Sequence, residues 1–418
     1  MHRRRFNALL VGAAGLAALG RLGARQPGNV RADIYANVGP RLLRYRIASD
    51  GKSLAEIGSP IALPEEVQEA CQWGRYLYVA SSDAHTTASP RNHYLSAFEA
   101  GSSGALEPIG DAVRLRHRPI HITVDARGEY LLSAFNEPSS VAVHRLNASG
   151  SIGTEIRQRA TLDTGAYAHQ IRVMPSGRAV ILAARGNQGI PGVREEDHGA
   201  LKVFGYAGGQ LVNRQSVAPN GGREFRCRHM EFHPSGKWLY VVIESQNELH
   251  TFRIEGDRLS TEPLFVTSLL APPARSRPGQ AASAIRMHPS NGRTLYVANR
   301  GRGKEVFQGE DVISENMENS IAVFSVNPQT GEPRLIQSAD PQSLDVRMFA
   351  LHPDGRSLVA TSHEAEGPIK RRRGNRIEIV PPRIVLFSIE PDGRLTFQYK
   401  RDVQTHGLFQ LWCGEVRY

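Results

Sequence analysis

Short apolar runs, each opened by a Gly-bearing turn and followed by a second, more alternating run, recur along this chain. The first run of each pair begins at Gly74 (Arg-Tyr-Leu-Tyr-Val-Ala), Gly128 (Glu-Tyr-Leu-Leu-Ser-Ala) and Gly177 (Arg-Ala-Val-Ile-Leu-Ala). It returns at Gly236 (Lys-Trp-Leu-Tyr-Val-Val), Gly292 (Arg-Thr-Leu-Tyr-Val-Ala) and Gly355 (Arg-Ser-Leu-Val-Ala-Thr). The second run follows each time, for example Tyr94-Leu-Ser-Ala-Phe, Ile321-Ala-Val-Phe and Ile384-Val-Leu-Phe. A seventh pair, Asp33-Ile-Tyr-Ala-Asn with Leu42-Leu-Arg-Tyr-Arg-Ile, opens the repeat region.

Runs of about four to six β-branched and aromatic residues bounded by Pro, Gly, Asp and Asn read as strands joined by tight turns. The beads Pro175-Ser-Gly, Pro234-Ser-Gly and Pro353-Asp-Gly suit such turns, because Pro presets one torsion and Gly supplies the unusual one. No helical periodicity is sustained after the N-terminal segment. Repeats of roughly 50 to 60 residues built from strands indicate a propeller. The pattern predicts an all-β fold, a seven-bladed β-propeller of four-stranded antiparallel blades over residues 29–418. The tail Phe409-Gln-Leu-Trp-Cys-Gly-Glu-Val is expected to close the ring against the first blade. On this reading each Gly opens an inner strand.

Composition narrows the partners. The net charge of +10 comes largely from Arg scattered through turns, without the clustered basic face that nucleic acid requires. The one dense run, Lys370-Arg-Arg-Arg, reads as a solvated loop in an insertion of the last blade. Cys71, Cys227 and Cys413 have neither metal-ligand nor haem-attachment spacing and form no disulfide framework. Residues 1–28 read as a separate export signal. Arg3-Arg4-Arg5-Phe6 has the twin-arginine form, and the apolar stretch Ala8 to Leu19 is too short for a permanent membrane span. The expected partner is therefore the twin-arginine export machinery and the expected compartment the periplasm or the exterior, or the cytoplasm if the signal does not function.

No nucleophile elbow, zinc-protease helix, phosphate loop or dinucleotide fingerprint occurs, so any chemistry has to be assembled from several blades. The polar residues that begin the innermost strands are the candidates: His121, His169, Arg228 with His229, and Arg347. Glu244 and Arg300 end second strands. Equivalent blade positions face one axis, so these groups converge. Arg forks bind carboxylate or phosphate in pairs of hydrogen bonds, and a His or Glu activates water or moves a proton. His233, His288 and His352, each before a Pro, recur with the turn beads and are expected to bond turn backbone.

At these residues the chain resembles the seven-bladed lactonase family, which includes propeller-type 6-phosphogluconolactonases and carboxy-muconate lactonising enzymes. The resemblance is carried by Arg228-His-Met-Glu-Phe-His-Pro-Ser-Gly-Lys-Trp-Leu-Tyr-Val-Val-Ile-Glu-Ser, by Ala168-His-Gln-Ile-Arg-Val-Met-Pro-Ser-Gly-Arg and by Leu295-Tyr-Val-Ala-Asn-Arg-Gly. It implies a site of His169, Arg228, Glu244 and Arg300 that needs no metal or other cofactor. It also implies a small lactone or carboxylate substrate held by Arg228 and Arg300, with His169 or Glu244 as the base; His121, His229 and Arg347, singled out by their strand positions, are expected to help bind it. Three departures stand out. Ala184-Arg-Gly replaces the family's Asp-Leu-Gly, Ala284 replaces an acid, and insertions occupy 187–198 and 302–318. The readings left standing are a lactone hydrolase, a muconate lactonising isomerase, and a non-catalytic envelope propeller that binds a ligand or protein.

Overall fold

The computed structural model describes residues 31–418 apart from 84–90, 191, 194, 274–278, 302–303, 309–310, 316, 363–368 and 374. The export-signal reading lies outside the described residues. Within them the chain is built from strands, with one 3-10 turn at Pro219–Gly222 and no α-helix. No described helix is long and apolar enough to cross a membrane.

Seven antiparallel sheets form the blades. Blade 5 shows the plan: Cys227–Phe232 lies innermost, then Trp238–Ile243, then Glu248–Glu255, with short outer strands beyond. The corresponding innermost strands of blades 2, 3, 4, 6 and 7 are Val67–Trp73, Pro119–Val124, Ala168–Val173, Gln280–Met287 and Val346–Leu351. Blade 1 takes its innermost strand from the far end of the chain. Cys413–Arg417 pairs antiparallel with Ala32–Val38, from Ala36 opposite Cys413 to Ala32 opposite Arg417. The expected closure is therefore present.

The Gly-opened strands are second strands rather than innermost ones, which corrects the sequence reading. Their composition explains why they stood out. A second strand is covered on both faces by neighbouring blades, so Trp238–Ile243 and Ala179–Ala184 are buried at every position and read as continuous apolar runs. Outer strands such as Gln210–Val217 face water on one side and carry polar residues between buried ones.

The core is a ring of slabs between blades. One slab joins Ile181 and Val203 of blade 4 to Leu239 and Phe252 of blade 5, and another joins Tyr240 and Leu249 to Leu295 and Phe324 of blade 6. Apolar surface is thus satisfied away from the axis, and the axis is free to hold polar groups. A recurrent tie crosses these interfaces. Tyr35, Tyr78, Tyr240 and Tyr296 donate their hydroxyls to the carbonyls of Gly104, Gly150, Gly331 and Gly393 in the next blade, at 2.9–3.0 Å. Tyr240→Phe is expected to cost about 1–2 kcal/mol, because the buried Gly331 carbonyl loses its donor. A urea-denaturation midpoint unchanged from the parent would refute that.

The turn histidines behave as the repeat suggested. His233 and His288 each place Nε2 at 2.8–2.9 Å from the carbonyl of the next blade's turn glycine, Gly292 or Gly355. His352 instead meets its own turn's Asp354 at 2.9 Å.

Lys370-Arg-Arg-Arg is not a loop. Ile369–Arg373 is a strand of an eighth sheet, ordered Lys304–Gln308, Asp311–Glu315, Ile369–Arg373, Arg376–Val380. Two insertions, from blades 6 and 7, build it jointly through a parallel pairing of Ile313 with Lys370 and Ser314 with Arg371.

Candidate active site

Six innermost strands share a defect at the same place. Pairing shifts register between Val67 and Glu69, Pro119 and His121, Ala168 and Gln170, Cys227 and His229, Ala282 and Ile285, and Val346 and Met348. A bulge leaves its extra residue out of the ladder and re-aims the side chain. In blades 4, 5 and 7 the extra residue is His169, Arg228 or Arg347. The residue that follows it is His121 in blade 3 and His229 in blade 5. The candidate set is therefore the product of one backbone device repeated around the axis.

Residues at the ends of second strands complete the site. Glu244 is buried and surrounded by guanidinium groups. Its Oε1 lies 2.7 Å from Arg300 Nη2 and 3.0 Å from Arg228 Nε, and its Oε2 lies 2.6 Å from Arg185 Nη1. The Arg228 contact is charge proximity, since the Nε hydrogen is not aligned on the oxygen. Arg300 also places Nη1 3.9 Å from Asp345. Burial alone would raise the Glu244 pKa, but Arg228, Arg300 and Arg185 outweigh it and hold the carboxyl down at about 2.

Arg228 is 1% exposed, and its Nη1 sits 3.3–3.4 Å from both ring nitrogens of His229, bridging them instead of making one directed bond. The His229 ring packs edge-on against His169 at 5.1 Å and against His121 at 6.2 Å between centroids. Gln170 fixes a tautomer. Its carbonyl accepts the Met230 N–H at 2.6 Å, so its amide donates to His121 Nε2 at 3.1 Å and the His121 proton resides on Nδ1. The Nδ1 atoms of His121 and His169 have no hydrogen-bond partner. Burial, then neighbouring arginines, hold all three imidazoles well below the ordinary histidine range, so they are neutral at pH 7.

Arg347 differs from the other arginines. It is half-buried and has no carboxylate within ion-pair distance among the described residues. Burial and repulsion from Arg300 and Arg118 bring its pKa down to about 10, which leaves it charged and improved by any anion that approaches.

All seven predicted residues thus lie along one polar axis. Glu244, Arg228, Arg300, His169, His229 and Arg347 gather at one end, and His121 sits deeper. Sequence reasoning missed Arg185, whose guanidinium also lies 4.2 Å over the Tyr167 ring. The signal was present. Arg185, Glu244 and Arg300 each follow the residue paired with the last inner-strand position before the bulge, namely Ala184 with Ala168, Ile243 with Cys227 and Asn299 with Ala282. The departure Ala184-Arg-Gly therefore adds a site cation. The insertion after it is anchored beside the cluster, with Arg226 bonding Glu196 at 2.6 Å and the Asp197 carbonyl at 2.7 Å. No group of three or more His, Cys, Asp and Glu that could hold a metal occurs among the described residues.

Fold and site together define a seven-bladed propeller whose axial mouth offers excess positive charge and neutral imidazole. The family model described as "Lactonase, 7-bladed beta-propeller" matches residues 41–367, and the chain belongs to that family. A 6-phosphogluconolactonase of Bacillus subtilis is 28% identical over 250 residues, 59% of this chain and 63% of that protein, so less than two thirds of its length is spanned. A 6-phosphogluconolactonase of Pectobacterium carotovorum is 28% identical over 295 residues, 69% of this chain and 77% of its own. The structure of the periplasmic gluconolactonase of Pseudomonas aeruginosa shares the fold at TM-score 0.66 and 18% identity, covering 92% of this chain and 99% of that one.

Proposed function

We propose that the protein hydrolyses a lactone that carries a carboxylate or phosphate. The observation that carries this reading is a surplus guanidinium, Arg347, next to a neutral His169 on the lactonase scaffold. Arg185, Arg228 and Arg300 are engaged by Glu244, so Arg347 is the group with capacity left for the substrate's anion. Both oxygens of Glu244 are committed to guanidinium groups, and its role is to hold the three forks in place. His169, kept neutral by burial and the neighbouring arginines, is the base that draws a proton from the attacking water. Arg300, the more exposed of the two arginines on Glu244 Oε1, faces the oxygen on which negative charge grows as the ring ester is attacked. The names of the two 6-phosphogluconolactonases support a sugar lactone as the substrate class.

Initial rates on 6-phosphogluconolactone, gluconolactone and a muconolactone test the assignment. Arg347→Gln is expected to lower kcat/KM about 100-fold on the charged lactones, mostly through KM, and little on gluconolactone. An equal loss on all three would remove Arg347 as the anion anchor. A folded parent that turns over none would remove the lactonase reading.

We further propose export to the periplasm, on the Arg3-Arg4-Arg5-Phe6 motif. Replacing Arg3 and Arg4 by Lys should retain the protein in the cytoplasmic fraction; unchanged fractionation would count against it.

A further inference from the structure

We propose that the opposite mouth of the axial channel is a second ligand site, one that takes a small zwitterion with its cationic group on Glu69 and its anionic group on Arg286. The innermost strands of all seven blades line a cavity there of about 620 Å3. It lies beyond the His121, Gln170 and His229 level of the channel. Arg172, Glu231 and Arg286 come two to four residues further along their strands than the bulges that serve the arginine cluster. At about 3.3 Å per residue, the two sites are separated by roughly 7 to 13 Å of strand.

The charges in this cavity do not close among themselves. Six charged side chains line it, three acidic and three basic. Arg172 pairs with Glu231 at 3.2 Å, and Arg417 pairs with Glu415 at 3.3 Å. Glu69 and Arg286 are left over. Glu69 is 4% exposed and receives only the N–H of Ala70, at 3.2 Å. Arg286 donates to the Ile285 carbonyl at 3.0 Å and points its other nitrogen at Met348 Sδ, with no carboxylate in reach among the described residues. A carboxylate as buried as Glu69 is costly without a directly bonded counter-charge; its strongest one, Arg286, is half-buried and makes no ion pair with it, and such groups mark candidate ligand sites. One surplus of each sign calls for a ligand with both. Burial raises the Glu69 carboxyl to about 7 despite Arg286, Arg347 and Arg228, which marks a group that a bound cation would stabilise in its ionised form. Trp412 and Phe349 are among the residues that line it, and His121, whose Nδ1 has no hydrogen-bond partner, lies at its inner end.

Calorimetric titration at pH 8 with glycine, β-alanine, 4-aminobutyrate and 6-aminohexanoate tests the site, since the series steps the charge separation. At least one member is expected to saturate a single site per chain. Glu69→Gln and Arg286→Gln are each expected to weaken it at least tenfold. Butylamine and butyrate, one charge each, should bind the parent protein at least tenfold more weakly. Should a variant fail to fold, these two probes still decide the matter. The proposal is overturned if no member saturates, if both variants bind like the parent, or if butylamine or butyrate binds equally well. Because lactone turnover is read separately, loss of this site leaves the hydrolase assignment standing.

Discussion

Glu244→Gln is expected to destabilise the protein by about 3–5 kcal/mol at neutral pH and to lower lactone turnover by 100-fold or more. The carboxylate is the common anion of three guanidiniums, and removing its charge leaves them facing one another without compensation. The pH dependence carries a definite sign. The folded-state value of about 2 lies below the unfolded 4.5, so the stabilisation is complete above pH 4.5 and fades as pH falls towards 2. That gap corresponds to about 3 kcal/mol. His121, His169 and His229 add a separate loss that begins near 6.5, because the unfolded chain takes up protons the folded chain refuses. Urea-denaturation midpoints of parent and variant at pH 7 and pH 3 separate the two. A variant as stable as its parent at pH 7 would show that the arginines are held by other means.

His169→Ala is the second large effect: turnover at saturating lactone is expected to fall roughly 100- to 10,000-fold, with KM changed far less. Because burial and then Arg228, Arg185 and Arg347 keep the imidazole neutral, kcat/KM of the parent should stay level from pH 8 to pH 6 where an ordinary histidine base would lose half its activity near 6.5. Stopped-flow rates with a pH indicator read both. A parent profile that drops through 6.5, or a variant with undiminished turnover, would assign proton transfer to another group.

The blades were legible in the sequence because second strands, buried on both faces, write their environment as unbroken apolar runs. The closing strand was legible for a different reason, as a lone strand within Phe409-Gln-Leu-Trp-Cys-Gly-Glu-Val left over after the paired runs. The site was half legible. His169, Arg228 and Arg347 sit where polar side chains interrupt the pattern, which is the local trace of a bulge. Arg185 was seen only as a missing family residue, since its value emerges on superposing the ends of three second strands. Glu244 was read as a possible base. Its real character depends on how many cations surround it, and that is a property of the assembled ring. The eighth sheet was out of reach altogether. Parallel pairing of Ser314 with Arg371 joins segments from different blades through backbone bonds, and neither segment announces its partner.

Closing the ring with Cys413–Arg417 has a consequence for biogenesis. Until synthesis passes residue 417, Ala32–Val38 presents a naked hydrogen-bonding edge, and the axis has no complete wall. The six later blades can stack in order as they emerge, yet the polar centre stays open to water until the two ends of this region meet. Quality control therefore has a simple handle: a nascent or nicked chain that lacks Cys413–Arg417 displays an unsatisfied edge, whereas one that carries it hides it.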